Sequence, residues 1–438
     1  MNNPMESFFL CLVVLLVSIQ TAEAWIPSTN KPASTAGQDP TTASFSSRFD
    51  ELVSLDTGTE TPAAVDERYY SVPPTQPQLL VNTKPRITLT RFLSNIVKED
   101  PEARDMESLL LSIQMACKTI SNLVNRAGLA NDLGEQNSDY SDGRFYSMKR
   151  LDLLSTIVLK NALQFTGKCE CVAPGPKVDT ESPAEHQPGV LIASALDSNY
   201  VTVLDPLDGS GNADASICTA TVFGVFEQPN DEEDGEATTA TSVDDNEKLV
   251  QSVLQPAKNM KAAGYCLYSS ATVLVFTLDQ GGVYGFTLDP QLQEFVLTHR
   301  DLSIPKRGNV YSCNEANSEG WADDWKSYVK SLKLGQGETK KPYALRYVGS
   351  MVGDIHRTLL YGGIFAYPSD SLRHPDGNLQ LLYKTAPMAY VVHRAGGKAI
   401  DGRTGSLLEV TPERVHQKSP CFMGSPEDVE EFEKYLQQ

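Results

Sequence analysis

The segment Asp205-Pro206-Leu207-Asp208-Gly209-Ser210-Gly211-Asn212 carries most of the chemistry in this sequence. An apolar run over residues 200–204 precedes it, so a strand would deliver two carboxylates three residues apart. Carboxylates at that spacing, with the Leu207 carbonyl as a third oxygen, suit Mg2+, a hard cation that keeps waters and takes substrate phosphate as a further ligand. Gly209, Ser210 and Gly211 then offer backbone N–H groups and a hydroxyl, a nest for a phosphate at a helix N-terminus. The bland alternative is a turn capped by an aspartate; the preceding strand and the D-P-L-D-G form argue against it.

Such groups need rigid elements behind them. Structure is expected to begin near Ile87, and Thr88-Leu89-Thr90-Arg91-Phe92-Leu93 opens a helix. Residues 108–129 set Leu109, Ile113, Ala116, Ile120 and Leu123 at helical spacing, and 149–163 predicts a second helix. Residues 190–195, 200–204 and 217–226 are runs of buried-strand type. Residues 265–278 and 283–288 have strand character, with Gly281-Gly282 as a turn between them. Further on, 321–334 and 350–361 predict helices, 363–367 and 379–383 predict strands, and 387–395 predicts a helix closed by Gly396-Gly397. Strands alternating with helices imply a layered α/β protein.

The chain has 438 residues, 40% hydrophobic and 21% charged, an ordinary soluble composition. A net charge of −19 would repel nucleic-acid phosphates and excludes that partner. Eight cysteines include no CxxC pair and no Cys/His cluster at zinc spacing, so nothing demands an oxidising compartment. Cys169 and Cys171 would share one face of a strand, while Cys218, Cys266, Cys313 and Cys421 sit among apolar residues and read as core thiols.

Residues 8–19 form an apolar run too short for a confident membrane span, and Ala22-Glu23-Ala24 supplies a cleavage pattern, so 1–24 reads as a signal peptide. Residues 25–84 are rich in Ser, Thr and Pro and read as a disordered leader. A signal peptide, an aromatic residue (Trp25) and a Ser/Thr-rich segment resemble the bipartite leader of proteins imported into complex plastids. The expected location is therefore the plastid stroma, with plain secretion as the alternative and no membrane segment in the mature form. Domains are expected at 85–270 and 271–438, with an acidic, exposed insertion at 227–248.

The D-P-L-D-G-S segment is similar to that of the fructose-1,6-bisphosphatases, members of the lithium-sensitive, metal-dependent phosphatase superfamily. The likeness continues through Gln255-Pro256, Ala263-Gly264-Tyr265-Cys266-Leu267-Tyr268-Ser269-Ser270, Phe286-Thr287-Leu288-Asp289-Pro290, Tyr311-Ser312-Cys313-Asn314-Glu315 and Arg346-Tyr347-Val348-Gly349-Ser350-Met351. The strongest block is His356-Arg357-Thr358-Leu359-Leu360-Tyr361-Gly362-Gly363-Ile364-Phe365, and Ala395-Gly396-Gly397-Lys398 and His416-Gln417 follow. The details resemble the chloroplast type more than the cytosolic one. The resemblance implies a five-layer αβαβα fold, a homo-oligomer (tetramer or dimer), and Mg2+-dependent hydrolysis of the 1-phosphate of fructose 1,6-bisphosphate to fructose 6-phosphate. It also implies roles. Asp205, the Leu207 carbonyl and Asp208 would hold metal, and Asp152 would help activate water. Gly209 and Ser210 would bind the 1-phosphate. Asn314, Tyr347 and Tyr367 would bind the 6-phosphate, with Arg346 arriving from a neighbouring subunit. Gly349, Ser350 and Met351 would line the sugar.

The chain also departs from the family pattern. Gly175 and Pro176 stand where the family has two adjacent glutamates, Lys384 where it has a glutamate, and Ser147 where it has an acid. Asn378 and Gln380 replace a phosphate-binding lysine and an arginine, and Asn317 replaces a tyrosine. Glu170, Asp179 or Glu181 are the nearby acids that could substitute. Negative metal ligands and positive anchors are depleted together, which implies an impaired or inactive enzyme whose Mg2+ binding is weak or absent. A specific arrangement follows: the Lys384 ammonium takes the vacated metal position and pairs with Asp205 and Asp208, because a buried carboxylate pair is costly without a cation. The alternative is a Lys384 that points to solvent. The insertion at 227–248 holds no cysteine, so a disulfide switch there is impossible, and Glu227 stands where the cytosolic AMP site has an arginine. Two functions compete. One is a non-catalytic homologue that binds sugar phosphate or forms hetero-oligomers with active homologues. The other is an active plastid enzyme of the Calvin cycle or gluconeogenesis with altered metal ligands.

Overall fold

The computed structural model describes residues 86–130, 135–139, 145–166, 169–174, 190–193, 199–228, 250–403 and 405–437, with backbone alone over 135–139, 145–149, 170–174 and 190–193. The leader, Gly175, Pro176 and most of the acidic insertion lie outside the described residues. No described helix is long and apolar enough to cross a membrane.

The chain opens with α1 (Leu89–Glu99), capped by the Thr88 hydroxyl accepting from the Arg91 N–H, and α2 (Arg104–Ala130), with Asp105 and Glu107 in its first turn. A hairpin of β1 (Glu135–Asp139) and β2 (Phe145–Lys149) leads into α3 (Arg150–Thr166). Then come β3 (Cys169–Pro174), β4 (Val190–Ala193) and β5 (Tyr200–Asp208), the single helical turn α4 (Ser210–Ala213), and β6 (Thr219–Glu227). Three further antiparallel connections join β7 (Met260–Tyr268), β8 (Thr272–Leu278), β9 (Val283–Asp289) and β10 (Glu294–His299). The second half runs β11 (Val310–Ser312), α5 (Asp323–Leu334), β12 (Ala344–Leu345), α6 (Met351–Tyr361), β13 (Ile364–Tyr367) and β14 (Leu379–Gln380). It closes with α7 (Ala386–Arg394), β15 (Lys398–Ile400), β16 (Lys418–Ser419), β17 (Cys421–Gly424) and α8 (Pro426–Leu436).

Three apolar cores stack these elements into five layers. The stripe Leu109, Ile113, Ala116 and Ile120 of α2, with Leu159 and Leu163 of α3, packs on one face of an eight-stranded sheet of order β10-β9-β8-β7-β6-β5-β3-β4. The other face of that sheet presents Val201, Val203, Val222 and Val275 to α6 and α7, through Val352, Ile355, Met388 and Val391. Those two helices also cover one side of a five-stranded sheet of order β12-β11-β13-β17-β15. Its far side, Tyr311, Ile364 and Phe422, buries α5 and α8 through Trp325, Tyr328 and Phe432. Each such side chain contributes roughly 1.5–3 kcal/mol when fully buried. The order helix, sheet, helix, sheet, helix is the expected αβαβα arrangement.

The period of two along β5 decides where the motif points. Val201 and Val203 face the middle helix layer, so Asp205 continues on that side, towards α7.

Three expectations are corrected. The run 265–278 is parts of two strands, β7 and β8, because Ser269-Ser270 turns the chain between them. The strand expected over 379–383 stops at Gln380, and Leu381–Thr385 instead winds as a wide π-type turn running into α7. A short apolar run such as Leu381-Leu382-Tyr383 buries equally well as strand or helix, so its pattern does not separate the two. Cys218 is only half-buried, because it lies in the loop before β6 rather than in the core, whereas Cys266, Cys313 and Cys421 are buried as expected.

Candidate functional site

Asp205 and Asp208 lie at the end of β5 across an irregularity in its pairing with β6. Pro206 has no N–H to give a sheet ladder, and a bulge is where a strand tolerates it. The bulge is pinned from outside: the Thr221 hydroxyl donates to the Pro206 carbonyl at 2.8 Å and shares a 2.7 Å hydrogen bond with the Tyr268 hydroxyl. Gly209 then turns the chain with φ of +73°, a left-handed conformation that favours glycine, and starts the single turn α4. The expected helix at the phosphate nest is therefore only four residues long, with Ser210 in its first position.

Lys384 approaches from the wide turn before α7. Its Nζ lies 2.9 Å from Asp205 Oδ2 and 2.8 Å from Asp208 Oδ1, and all three side chains are largely buried. The ammonium thus sits between the two carboxylates and does not point to solvent. π-type turns inside helices frequently mark functional positions, and here the extra residue aims the lysine at β5. Burial pushes the Asp205 carboxyl up to about 6, against the pull of Lys384. Burial also disfavours the charged Lys384, but the two carboxylates outweigh it and hold its pKa above the usual lysine range. The direction we stand behind is an ion pair that keeps the ammonium charged.

A cavity of about 190 Å3 opens beside this cluster. Of the residues singled out from sequence, Asp208, Gly209, Tyr347, Gly349, Met351 and Tyr367 line it, together with Asn378. Ser350 lies next to Gly209 but is buried, and its hydroxyl caps α6 by accepting from the Gly353 N–H. Leu207 is buried in the strand, and its backbone N–H supports the Asp205 carboxylate. Asp152, Asn314 and Arg346 are not part of the cavity wall. Asp152 lies in the first turn of α3, Asn314 caps the turn at Glu315–Gly320, and the exposed Arg346 donates to the Leu345 carbonyl. Asn317 lies in that same turn, Gln380 ends β14, and Ser147 lies in β2, where only the backbone is described.

Sequence reasoning missed three contributors. Asp354 is fully buried; its carboxylate accepts from the Val348 and Gly349 N–H groups and pairs with Arg357, which shapes the cavity wall at Tyr347–Gly349. Cys218 packs its sulfur against Gly353 beside Ser350. Lys418 reaches Asn378 from β16. The signal for Asp354 was present, as an acid in the first turn of a predicted helix; the other two carried none.

A divalent cation does not fit between Asp205 and Asp208 in this arrangement, because the Lys384 ammonium occupies the space and would repel it. Among the described residues, no group of three or more His, Cys, Asp or Glu side chains is placed to hold a metal.

Comparison with known proteins fixes the ancestry. Residues 87–300 match the N-terminal domain of fructose-1-6-bisphosphatase, and residues 304–437 match its C-terminal domain. The chain belongs to the fructose-1,6-bisphosphatase family. Among relatives, the chloroplastic fructose-1,6-bisphosphatase of Brassica napus is 43% identical over 351 residues, covering 80% of this chain and 81% of that protein. The cytosolic enzyme of Solanum tuberosum is 41% identical over 350 residues, covering 80% of this chain and 94% of that protein. Among solved structures, the holo form of Leishmania major fructose-1,6-bisphosphatase superposes with a TM-score of 0.68 at 38% identity, covering 81% of this chain and all of that one. The family fold and the layer order described above agree.

Proposed function

We propose that this chain is a fructose-1,6-bisphosphatase homologue that binds a sugar phosphate but has lost most or all bisphosphatase turnover. The observation that carries the reading is the Lys384 ammonium held between Asp205 and Asp208, where a metal-dependent phosphatase needs a divalent cation. The cavity beside it, with Tyr347, Gly349, Met351 and Tyr367 in its wall, supports retained ligand binding. The chloroplastic relatives and the leader-like N-terminus support a plastid location. Assembly as a homo-oligomer, or with active homologues, follows from the family and from the exposed Arg346, the residue that the resemblance assigns to a neighbouring subunit.

The competing reading, an active fructose-1,6-bisphosphatase with other metal ligands, draws on the relatives' names and on Glu170, Asp179 and Glu181 as substitute acids, the last two outside the described residues. Phosphate release from fructose 1,6-bisphosphate by the full chain, with excess Mg2+ at about pH 8, separates the two. A parallel sample carries Lys384→Glu, Gly175→Glu and Pro176→Glu. Our reading expects no turnover by the parent and a gain in the repaired variant; turnover by the parent sinks it.

A further inference from the structure

An amine and two carboxyl groups meet in a place that water hardly reaches. Lys384 Nζ lies 2.8 Å from Asp208 Oδ1 and 2.9 Å from Asp205 Oδ2, and the Lys384, Asp208 and Asp205 side chains are 18%, 6% and 8% exposed. The Asp208 carboxyl carbon is one C–O bond beyond Oδ1, so it lies within about 4 Å of the lysine nitrogen. Reacting atoms combine from separations of roughly 3–3.5 Å, so a small side-chain rotation closes the gap.

Rigid elements hold the groups there. β5 carries both aspartates and is paired along its length with β6. Lys384 stands on the wide turn whose Leu381, Leu382 and Tyr383 are buried, and which runs straight into α7. Asp205 Oδ2 and Asp208 Oδ2 are buried and accept no hydrogen bond from any described residue, so no other donor anchors those two oxygens against the lysine. The residues brought together are 176 positions apart in the chain.

We propose that Lys384 and Asp208 condense into an intramolecular isopeptide bond, with Asp205 as the proton carrier. The ion pair is the arrangement from which the reaction starts. The ammonium first passes one proton, through Asp205, to Asp208. This leaves an amine, a carboxylic acid and a carboxylate, with the same net charge of minus one as before. The nitrogen then attacks the Asp208 carboxyl carbon and the C–N bond forms. Asp205 takes a second proton from that nitrogen and hands it to the departing hydroxyl; the C–O bond breaks and one water leaves. The product is an amide, Asp205 ends as the carboxylate it was, and no oxidant or co-reactant is consumed. Burial penalises each charged form, which brings the neutral amine and acid within reach of the ion pair. Each molecule needs to react only once, and the scarcity of water at the site opposes reversal, so a slow step accumulates product.

The inference shares the placement of Lys384 with the reading above and uses nothing of sugar-phosphate binding. Its consequence is that Asp208, once an amide, is no longer available to a metal.

The test is the mass of the full chain under denaturing conditions, fresh and after prolonged incubation, followed by trypsin digestion. The cross-linked chain is one water lighter than its sequence. Trypsin no longer cuts after Lys384, and residues 374–394 appear joined to the peptide that holds Asp208. Asp208-Gly209 can also lose one water by closing a succinimide, which mild alkali reopens while an isopeptide survives. Lys384→Arg keeps the cation without a reactive amine and should show the full mass. Asp205→Asn keeps the shape without the proton carrier and should slow cross-linking by at least about tenfold. A parent of full mass that trypsin cuts after Lys384 in the aged sample overturns the proposal, as does a lost water that persists in Lys384→Arg or disappears in alkali. Cross-linking as fast in Asp205→Asn overturns the role given to Asp205. A parent without the cross-link that also shows no turnover leaves the reading above standing, whereas turnover by the parent removes that reading whatever its mass.

Discussion

Replacing Lys384 by methionine is the sharpest perturbation of this protein. The side chain keeps its length and apolar stem but loses the charge that faces Asp205 and Asp208. The carboxylate side chains are 8% and 6% exposed, so little solvent is available to take over from the ammonium. Removing one partner of a buried ion pair ordinarily costs about 3–5 kcal/mol. At roughly 2 °C per kcal/mol, the low end for larger domains, the melting temperature should fall by about 6–10 °C at pH 8. The pH dependence carries a sign. Asp205 is already raised to about 6 by burial, with Lys384 pulling it down; without the lysine, burial and the Asp208 charge act upward against only the Leu207 backbone hydrogen bond. A carboxyl whose folded-state pKa lies above its unfolded value makes the folded state bind more protons, so stability falls as pH rises through that window. The variant should therefore regain stability as the pH drops from about 8 towards about 5, and its deficit against the parent should shrink. Thermal melts of both proteins at the two pH values measure this. Adding Asp205→Asn and Asp208→Asn to Lys384→Met should restore much of the loss, because a neutral trio leaves no buried charge. Equal melting temperatures at pH 8, or a deficit that grows in acid, would refute the reasoning.

Three further outcomes follow from the same geometry. Lys384→Glu places a third carboxylate at the cluster, so added Mg2+ should raise the melting temperature of that variant and leave the parent unchanged; a parent that responds equally would show that metal reaches the site despite the lysine. Thr221→Val removes the donor to the Pro206 carbonyl and one hydrogen-bond partner of the Tyr268 hydroxyl, a loss of about 1–3 kcal/mol readable by urea denaturation. Burial lowers the His356 imidazole from 6.5 to about 4, with His299 adding to the shift. Its unfolded form takes a proton first, so stability should fall as pH drops from about 6.5 towards 4, and His356→Gln should flatten that slope in urea melts.

Much of this is legible in the sequence. Alternating strands and helices gave the layered class, and the apolar run into Asp205 gave the strand that delivers the motif. Lys384 was legible because Leu381-Leu382-Tyr383 before it fixes its register, and because two buried acids demand a cation. The turn that carries it was not legible, since three consecutive apolar residues satisfy a strand or a helix equally. Asp354 is an acid in a helix's first turn, a position where the helix dipole alone would favour it. Its hydrogen bonds to Val348 and Gly349 depend on how the preceding loop folds back. Cys218 read as core because its sequence neighbours are apolar, yet its sulfur lies against Gly353, a residue 135 positions away with no side chain to announce the contact.

Lys418 shows why position-by-position comparison misleads at this site. Asn378 and Gln380 count as two lost cations when each is read alone. In space, an ammonium 40 residues away occupies their neighbourhood, because a two-residue strand pairing sets Lys418 across from Gln380. At the other end a lost acid, read alone, is a missing metal ligand; in space it is a cation that neutralises half of what the remaining acids carry.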